Sequence, residues 1–261
     1  MKHSWLFLLV AVSATALAGC RQRVSESAEH PSSSVACQAA LAPGGHAQPI
    51  DRTIADLQER ARQSPWKRDA LEQLGYQFVA RARVANDPGD YTLAERVATC
   101  LEEQQPGDPA ALLLRGHALH QLHRFHEAEA IARTLVTKRE FVLDYALLGD
   151  ALMEQGRLDE AATAYQKMID LKPFYQSYTR AAHLRWLKGD LDGARGMMRL
   201  AAESASPRDP ESVAWAWTRL AAYELQSGRL DAAMSAAETA LRYQPDYAAA
   251  LLAQSRLRPL Q

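Results

Sequence analysis

The chain has 261 residues, of which 48% are hydrophobic and 23% are charged, a balance typical of a globular protein with a sizeable core. Its 30 basic and 31 acidic residues nearly cancel. The charge therefore gives no electrostatic basis for binding nucleic acid or an anionic membrane surface, and we expect neither as a partner.

The first 19 residues differ from the rest of the chain and are typical of a secretory signal. A basic head precedes an apolar run of about 14 residues, Trp5 to Ala18, which is shorter than the roughly 20 residues of a membrane-spanning helix. The run ends in Leu-Ala-Gly-Cys at residues 17–20, which closely resembles the lipobox of bacterial lipoproteins. That resemblance implies that Cys20 becomes the first mature residue and carries lipid such as palmitate. The alternatives are an ordinary cleaved signal or an uncleaved anchor, with Cys20 incidental.

The residue after the cysteine is Arg21 rather than Asp. By the same resemblance, this implies an outer-membrane lipoprotein that faces the periplasm of a bacterial cell envelope. We expect the lipid to be its only contact with the membrane, since several acyl chains anchor a protein stably.

Residues 20–48 are rich in Ser, Ala, Gln and Pro without an apolar period, which predicts a flexible tether between the lipid and the folded part. Cys37 lies in this stretch, and Cys100 lies on a predicted helix. In an oxidising exported compartment the two thiols can pair as a disulfide. Two free thiols, with Cys100 as a small buried apolar residue, are the alternative.

From residue 49 onwards, apolar residues recur at spacings of three and four, which predicts helices. The helices form an internal repeat, in which a small residue opens the second helix of each pair. That residue recurs at intervals of 34, 33, 33 and 39 positions, at Ala94, Ala128, Ala161, Ala194 and Ala233. The loop before it repeats as Gly-x-Leu-Asp at residues 156–159, 189–192 and 228–231, where Gly permits a left-handed helix cap.

These residues resemble the tetratricopeptide repeat family, and residues 142–173 match its pattern best, with Tyr145, Leu148 and Gly149 in the first helix. The resemblance implies an all-α fold, a right-handed superhelical solenoid of antiparallel helix pairs that occupies residues 49–261. The repeats span approximately 68–107, 109–141, 142–174, 175–207 and 214–247, with a capping helix before them and a closing helix at 246–258.

Three positions depart from the family pattern. His123 replaces the loop glycine of the second repeat. Arg185 and Glu224 stand where the first helix of a repeat usually holds an apolar residue, in the fourth and fifth repeats. We expect the packing around Arg185 and Glu224 to differ from the family pattern in detail, while the repeat itself is kept.

In this family the first helix of each pair lines a concave face, so the resemblance implies a binding groove rather than a reaction centre. We expect the groove to hold a partly apolar peptide or helix of a protein partner, with Trp186 and Met153 as anchors. The predicted partner-binding residues are the outward positions of the first helices: Tyr76, His117, His120, Gln121, Asp150, Met153, Glu154, His183 and Trp186.

A run of histidines at a spacing of three is a local oddity: His117, His120, His123 and His126. Neutral imidazoles at i and i+3 can share a metal ion, which makes His117 and His120 weak candidate ligands. However, His123 falls in the inter-helix turn, and no Cys-x-x-Cys accompanies the run, so we assign no metal. No phosphate-binding loop or nucleophile motif occurs either, so we predict neither an enzyme nor a cofactor.

The sequence thus predicts a lipid-anchored periplasmic adaptor that assembles or stabilises a protein complex. The alternative is a metal- or small-molecule-binding module that uses the histidines of residues 117–126. A third possibility is a subunit of an enzyme whose activity belongs to its partner.

Overall fold

The computed structural model describes residues 34–44, 49–63, 68–85 and 87–260. This part of the chain contains helices and turns but no strand, and none of its helices is long and apolar enough to cross a bilayer. The predicted signal segment and lipid site, including Cys20, lie outside the described residues.

The described part contains thirteen α-helices, followed by a 3-10 turn at Arg258–Leu260. In chain order the helices are α1 (Val35–Ala40), α2 (Pro49–Arg62), α3 (Arg68–Ala85), α4 (Gly89–Gln104), α5 (Pro109–Gln121), α6 (Phe125–Lys138), α7 (Val142–Glu154), α8 (Leu158–Leu171), α9 (Tyr175–Leu187), α10 (Leu191–Ser204), α11 (Pro210–Gln226), α12 (Leu230–Tyr243) and α13 (Ala248–Leu257).

Consecutive helices from α3 to α12 pack as five pairs, and each pair packs on the next. The short turns within the pairs make the two helices antiparallel. Helix α2 packs on α3 at one end, and α13 packs on α11 and α12 at the other. The predicted all-α solenoid of helix pairs is therefore confirmed.

Small residues bring the two helices of each pair together. The alanines that open the second helices are all fully buried: Ala94, Ala128, Ala161, Ala194 and Ala233. Large side chains from neighbouring helices, such as Leu71, Leu152 and Met198, fill the space between the backbones and are also fully or almost fully buried. This pattern of small and large residues explains why the repeat is readable in the sequence.

The turn inside a pair needs one residue in the left-handed region. Gly156, Gly189 and Gly228 supply it, with φ of 74°, 80° and 71°. In the second repeat the same place is taken by His123 with φ of 59°, a conformation that a residue with a Cβ adopts at a cost in energy.

The fifth repeat starts earlier than predicted. Helix α11 begins at Pro210 rather than at residue 214, because the Asp209 side chain accepts from the Ser212 backbone N–H over 3.3 Å and proline suits the first helical turn. Helix α11 has 17 residues against 13 in α9, so it absorbs four of the extra residues in this repeat.

The predicted tether is wrong over its last part, because α1 is an ordered helix that packs against α4. Ser34 caps α1 by accepting from the Cys37 backbone N–H over 3.0 Å. Cys37 and Cys100 are both fully buried and form a disulfide, with their Cα atoms 4.9 Å apart. Gln58 of α2 donates to the Ala42 carbonyl over 2.8 Å and holds the chain after α1 in place.

The two polar residues that depart from the family pattern in the fourth and fifth repeats, Arg185 and Glu224, both form ion pairs. The Glu224 carboxylate is buried and pairs with Arg199 at 2.7 Å and Arg195 at 3.1 Å, both on α10. Arg185 is exposed and pairs with Asp190 at 2.6 Å, in the turn before α10. The ion pairs of Glu224 join α11 to the preceding repeat. Glu224 therefore replaces an apolar contact by ion pairs.

Candidate binding groove

The first helices of four repeats meet around one cavity of about 290 Å³. Residues from α5, α7, α9 and α11 line it, together with one side chain of α8: His120, Asp150, Met153, Tyr165, Thr179, Arg180, His183, Trp215, Arg219 and Tyr223. Because every repeat from the second to the fifth contributes its first helix, these helices form the inner face of the solenoid.

A second, more polar cavity of about 400 Å³ adjoins the first. The two share Thr179, Arg180 and Trp215 as common lining. The second cavity also includes Arg83 of α3 and Glu211 of α11, so side chains of the first and fifth repeats border the same opening. The two cavities together form one groove, which extends from α3 to α11.

An ion pair forms the floor of the groove. Arg180 of α9 donates from Nε to Asp150 Oδ1 at 2.8 Å and from Nη2 to Oδ2 at 2.7 Å. The Tyr165 hydroxyl of α8 donates to the same Asp150 Oδ1 at 2.7 Å. Burial alone would raise the pKa of Asp150, but the charge and hydrogen bonds of Arg180 outweigh it and lower that pKa. The Asp150 carboxylate is thus ionised and already satisfied by the protein itself.

The small residue Gly149 makes room for this arrangement. A Cβ at Gly149 would lie 2.3 Å from Cε1 of Tyr165, so only glycine lets the Tyr165 ring lie against α7. Burial, followed by the charge of Asp150, raises the pKa of Tyr165 well above its usual value and keeps its hydroxyl protonated as a donor.

Stacked aromatic rings form one wall. The rings of His183 and Trp186 stack at 5.6 Å, and those of Trp186 and Tyr223 at 6.2 Å. Trp186 also donates from Nε1 to the Gln226 side-chain oxygen over 2.7 Å. The structure therefore places Trp186 behind His183 and Tyr223, which line the cavity, rather than in its lining.

Three side chains follow one another at intervals of four along α11: Trp215, Arg219 and Tyr223. The guanidinium carbon of Arg219 is 5.9 Å from the ring centre of Trp215 and 5.6 Å from that of Tyr223. Contacts of this kind between cations and aromatic rings are favourable and hold the side chain in place. Among the described residues, no carboxylate lies within ion-pairing distance of Arg219.

Of the two histidines of α5, His120 lines the groove and His117 does not. Burial lowers the pKa of His117 to about 4, so its imidazole is neutral at pH 7. His120 lines the cavity, and its buried Nε2 has no hydrogen-bond partner in the described part. Gln121 is half-buried beside it, with its Nε2 3.4 Å from His120 Nδ1.

The histidine run does not converge on one point. The ring centres of His120 and His123 each lie 5.4 Å from the ring centre of Phe125, in edge-to-face contacts. His126 is exposed on α6. Within the described ranges, no three side chains of His, Cys, Asp or Glu are arranged to hold a metal ion. No observation on these residues favours the metal-binding alternative.

Five of the nine predicted groove residues do not line this cavity: Tyr76, His117, Gln121, Glu154 and Trp186. Tyr76 borders a separate opening of about 570 Å³ between α2 and α3, with Thr53, Asp56 and Glu72. Burial and the Glu72 charge raise the pKa of Tyr76 to about 12. Glu154 is exposed at the end of α7 and does not line the cavity. The predicted residues that the cavity does bring together are His120, Asp150, Met153 and His183.

The sequence reasoning missed four residues of the cavity, namely Tyr165, Arg180, Arg219 and Tyr223. For the two residues of α11 a signal existed, because Trp215, Arg219 and Tyr223 repeat at intervals of four and therefore share one helix face. For Arg180 no sequence signal existed, since its partner Asp150 is 30 residues away in the preceding repeat.

Comparison with known families finds tetratricopeptide repeat models at residues 79–141, 142–175 and 216–247. The matches include the second, third and fifth repeats and the second helix of the first. No curated protein matches the sequence.

Solved structures of the same fold are similar to this chain. TTC0263, a thermophilic repeat protein of Thermus thermophilus, superimposes with a TM-score of 0.62 at 20% identity, over 74% of this chain and 99% of that one. The Cut9–Hcn1 hetero-tetramer of APC/C gives a TM-score of 0.65 at 16% identity, over 81% of this chain and 40% of that one. BtubC from P. vanneervenii gives 0.53 at 16% identity, over 76% and 92% of the two chains. At these identities the likeness establishes the fold alone.

Proposed function

The chain belongs to the tetratricopeptide repeat family, and on that premise we propose that it is an adaptor that holds a peptide or helix of a partner protein in its groove. The fold in general supports a scaffold for interactions between proteins. The observation that carries the proposal is the cavity between the first helices of four repeats, with aromatic rings and Met153 in its lining.

The chemistry of this cavity suits a side chain of a partner. Met153 is flexible and adapts to different apolar shapes, whereas the exposed Trp215 ring offers a large rigid contact area. The Asp150 carboxylate is neutralised by Arg180, so the floor presents little net charge. Such a site rewards burial of an apolar group, as expected for the central contact of an interface.

We extend the proposal to location: the mature chain carries lipid on Cys20 and faces the periplasm from the outer membrane. The lipobox-like residues 17–20 support this location. The buried disulfide between Cys37 and Cys100 also supports it, because disulfides persist in oxidising exported compartments and are rare in the cytosol.

Capture of partners from detergent-solubilised envelopes tests the adaptor function. Met153→Ala removes a cavity side chain, and Lys167→Ala alters an exposed residue of α8 that lines no described cavity. We expect the proteins retained by the wild-type chain to be depleted at least fivefold with Met153→Ala and to be unchanged with Lys167→Ala. Equal capture by all three chains would contradict the groove assignment, provided that their circular dichroism and melting temperatures agree.

Metabolic labelling with palmitate tests the lipid site. Label is expected in the wild-type chain and absent from Cys20→Ser, which leaves both cysteines of the disulfide in place. Label that survives Cys20→Ser, or a wild-type chain that takes up none, would contradict lipidation at this residue. This result is independent of partner capture, so location and binding are tested separately.

A further inference from the structure

The cavity of about 290 Å³ holds one positive charge that no carboxylate of the described residues neutralises. Two arginines and one aspartate line the cavity of about 290 Å³, and the aspartate is paired with Arg180. Arg219 makes no ion pair within the described part of the chain, and its buried Nε has no hydrogen-bond partner there. A buried donor of this kind is costly unless a ligand or water satisfies it.

A second unpartnered polar atom borders the same cavity. His120 belongs to α5 in the second repeat, and its buried Nε2 lacks a hydrogen-bond partner in the described part. The two groups come from opposite ends of the lining, α5 and α11, and both border the space between them. A carboxylate accepts several hydrogen bonds through its two oxygens, and the planar guanidinium of arginine matches it geometrically.

The surroundings of Arg219 are apolar and aromatic. Trp215 and Tyr223 lie under its guanidinium, and Met153 lines the same space. A carboxylate alone gains little by leaving water for such a site. A ligand that adds an apolar group beside the carboxylate gains from burial as well, and the adjoining polar cavity lets its chain continue past Arg180.

We propose that the groove recognises an extended segment in which an acidic side chain stands next to a bulky apolar one. In this arrangement Arg219 binds the carboxylate, Trp215 and Met153 contact the apolar side chain, and the buried Tyr223 ring supports Arg219 from beneath. The inference rests on the proposed function and adds the chemistry of the bound segment.

Selection from a random peptide library tests the proposal with the full chain as bait. Peptides fused to a phage coat protein through their C-termini carry carboxylates only on Asp and Glu side chains. We expect the wild-type chain to enrich peptides with an acidic residue next to Leu, Ile, Phe or Trp. Arg219→Gln should lose the acidic preference, and Arg219→Lys should retain part of it. Arg256→Gln is the matched control, since Arg256 is exposed on α13, away from the cavity.

Affinity measurements make the test quantitative. They compare one enriched synthetic peptide with its amide analogue, in which Gln or Asn replaces the acidic residue. Arg219→Gln is expected to weaken binding of the acidic peptide about tenfold, in the range of a lost charge-assisted hydrogen bond, and to leave binding of the amide analogue unchanged. Arg256→Gln should change neither. Melting temperatures show whether Arg219→Gln is folded, and Arg219→Lys provides the comparison if it is not.

The outcomes separate this inference from the proposed function. Enriched peptides without an acidic preference, or an acidic preference that survives in Arg219→Gln, would overturn the carboxylate site while the groove remains a binding site. If no peptide is enriched, or if Met153→Ala leaves every enriched peptide bound with unchanged affinity, both the site and the groove function are overturned.

Discussion

Arg157, in the turn between α7 and α8, donates from Nη1 to Glu129 Oε1 of the preceding repeat over 2.7 Å. The junction before it has the same arrangement, because Arg124 of the turn between α5 and α6 donates to Glu95 of α4 over 3.1 Å. Each glutamate directly follows the buried alanine that opens its helix. A charged pair at a fixed repeat position therefore ties each of the first two repeats to the next.

The next junction lacks this pair. Ala162 takes the place of the glutamate and Asp190 that of the arginine, and an opening of about 400 Å³ lies there, lined by both residues and by Ile169 and Met197. The junction between the fourth and fifth repeats uses buried Glu224 instead. The ion pairs are therefore a property of particular junctions and not of the repeat as such.

We predict that Glu129→Gln destabilises the protein. Glu129 is buried and accepts from Arg157, Arg133 and Gln155, so its neutral replacement leaves those donors with a weaker acceptor. The expected loss in free energy of unfolding is about 2 kcal/mol, as for hydrogen bonds to a charged group. Urea unfolding measures it. Glu160→Gln is the control, because that carboxylate is exposed and its removal should cost much less stability.

The same residue predicts an acid dependence. Burial alone would raise the pKa of Glu129, but the hydrogen bonds from Gln155, Arg133 and Arg157 outweigh it and lower the pKa to about 2, against 4.5 for an unperturbed glutamate. Because the folded pKa lies below the unfolded one, this contribution is present above pH 4.5 and is lost as the pH falls towards 2. The stability of Glu129→Gln should therefore fall less steeply across this window, and parallel curves for the two chains would contradict the assignment.

We predict that His123→Gly stabilises the second repeat. His123 adopts φ of 59°, where a side chain with a Cβ is strained, and glycine relieves that strain at some cost in the entropy of the unfolded chain. The net gain should be about 0.5–1 kcal/mol. Gly156→His is the reciprocal control, since its φ is 74° and no atom lies near its Cβ position. A lower melting temperature for His123→Gly would show that the His123 ring contact with Phe125 outweighs the strain.

We predict that the disulfide ties the N-terminal helix to the solenoid and stabilises the whole chain. Cys37 and Cys100 are separated by 63 positions, and closing a loop of that size is worth about 4 kcal/mol in the chain-entropy model. Denatured protein should release two more thiols after reduction than before. Cys37→Ser together with Cys100→Ser should lower the urea midpoint, and an unchanged midpoint with an equal thiol count would contradict the pairing.

We predict strong coupling between Asp150 and Arg180. Each single variant, Asp150→Ala or Arg180→Met, leaves a partly buried charge without its partner. The expected loss in free energy of unfolding is about 3 kcal/mol. The double variant should cost about 2 kcal/mol less than the two single effects together. The matched cycle uses Lys188→Met and Asp159→Ala, an exposed pair at 2.6 Å whose coupling should be much weaker because solvent screens it. Equal coupling in the two cycles would remove the basis for treating the groove floor as preorganised.

The sequence predicts the repeat well because its signals are local. Ala161, Leu148 and the turn glycine Gly156 act within one pair of helices, where spacing alone determines which face is buried. Helix α1 has only six residues, too few for an apolar period to show, so the sequence predicts a tether where this helix lies. The beginning of α11 was missed for a different reason, because it depends on the Asp209 cap.

The groove is less predictable, because its geometry depends on pairs from different repeats. Asp150 and Met153 were expected to face a partner, and both do line the cavity. The spacing did not show that the Asp150 carboxylate is occupied by Arg180, nor that Trp186 stacks behind Tyr223. Side-chain pairing across 30 or more positions follows from the solenoid stacking, which a period within one helix does not encode.

Site-specific photo-crosslinking in the producing bacterium tests the central claim most directly. A benzophenone amino acid replaces Met153 in the cavity or, as the control, exposed Lys167 on α8. Irradiation should yield a discrete crosslinked protein from position 153 and none of that species from position 167, and Arg219→Gln should reduce its yield. The same species from both positions, or none from position 153 in a folded chain, would contradict a partner held in the groove.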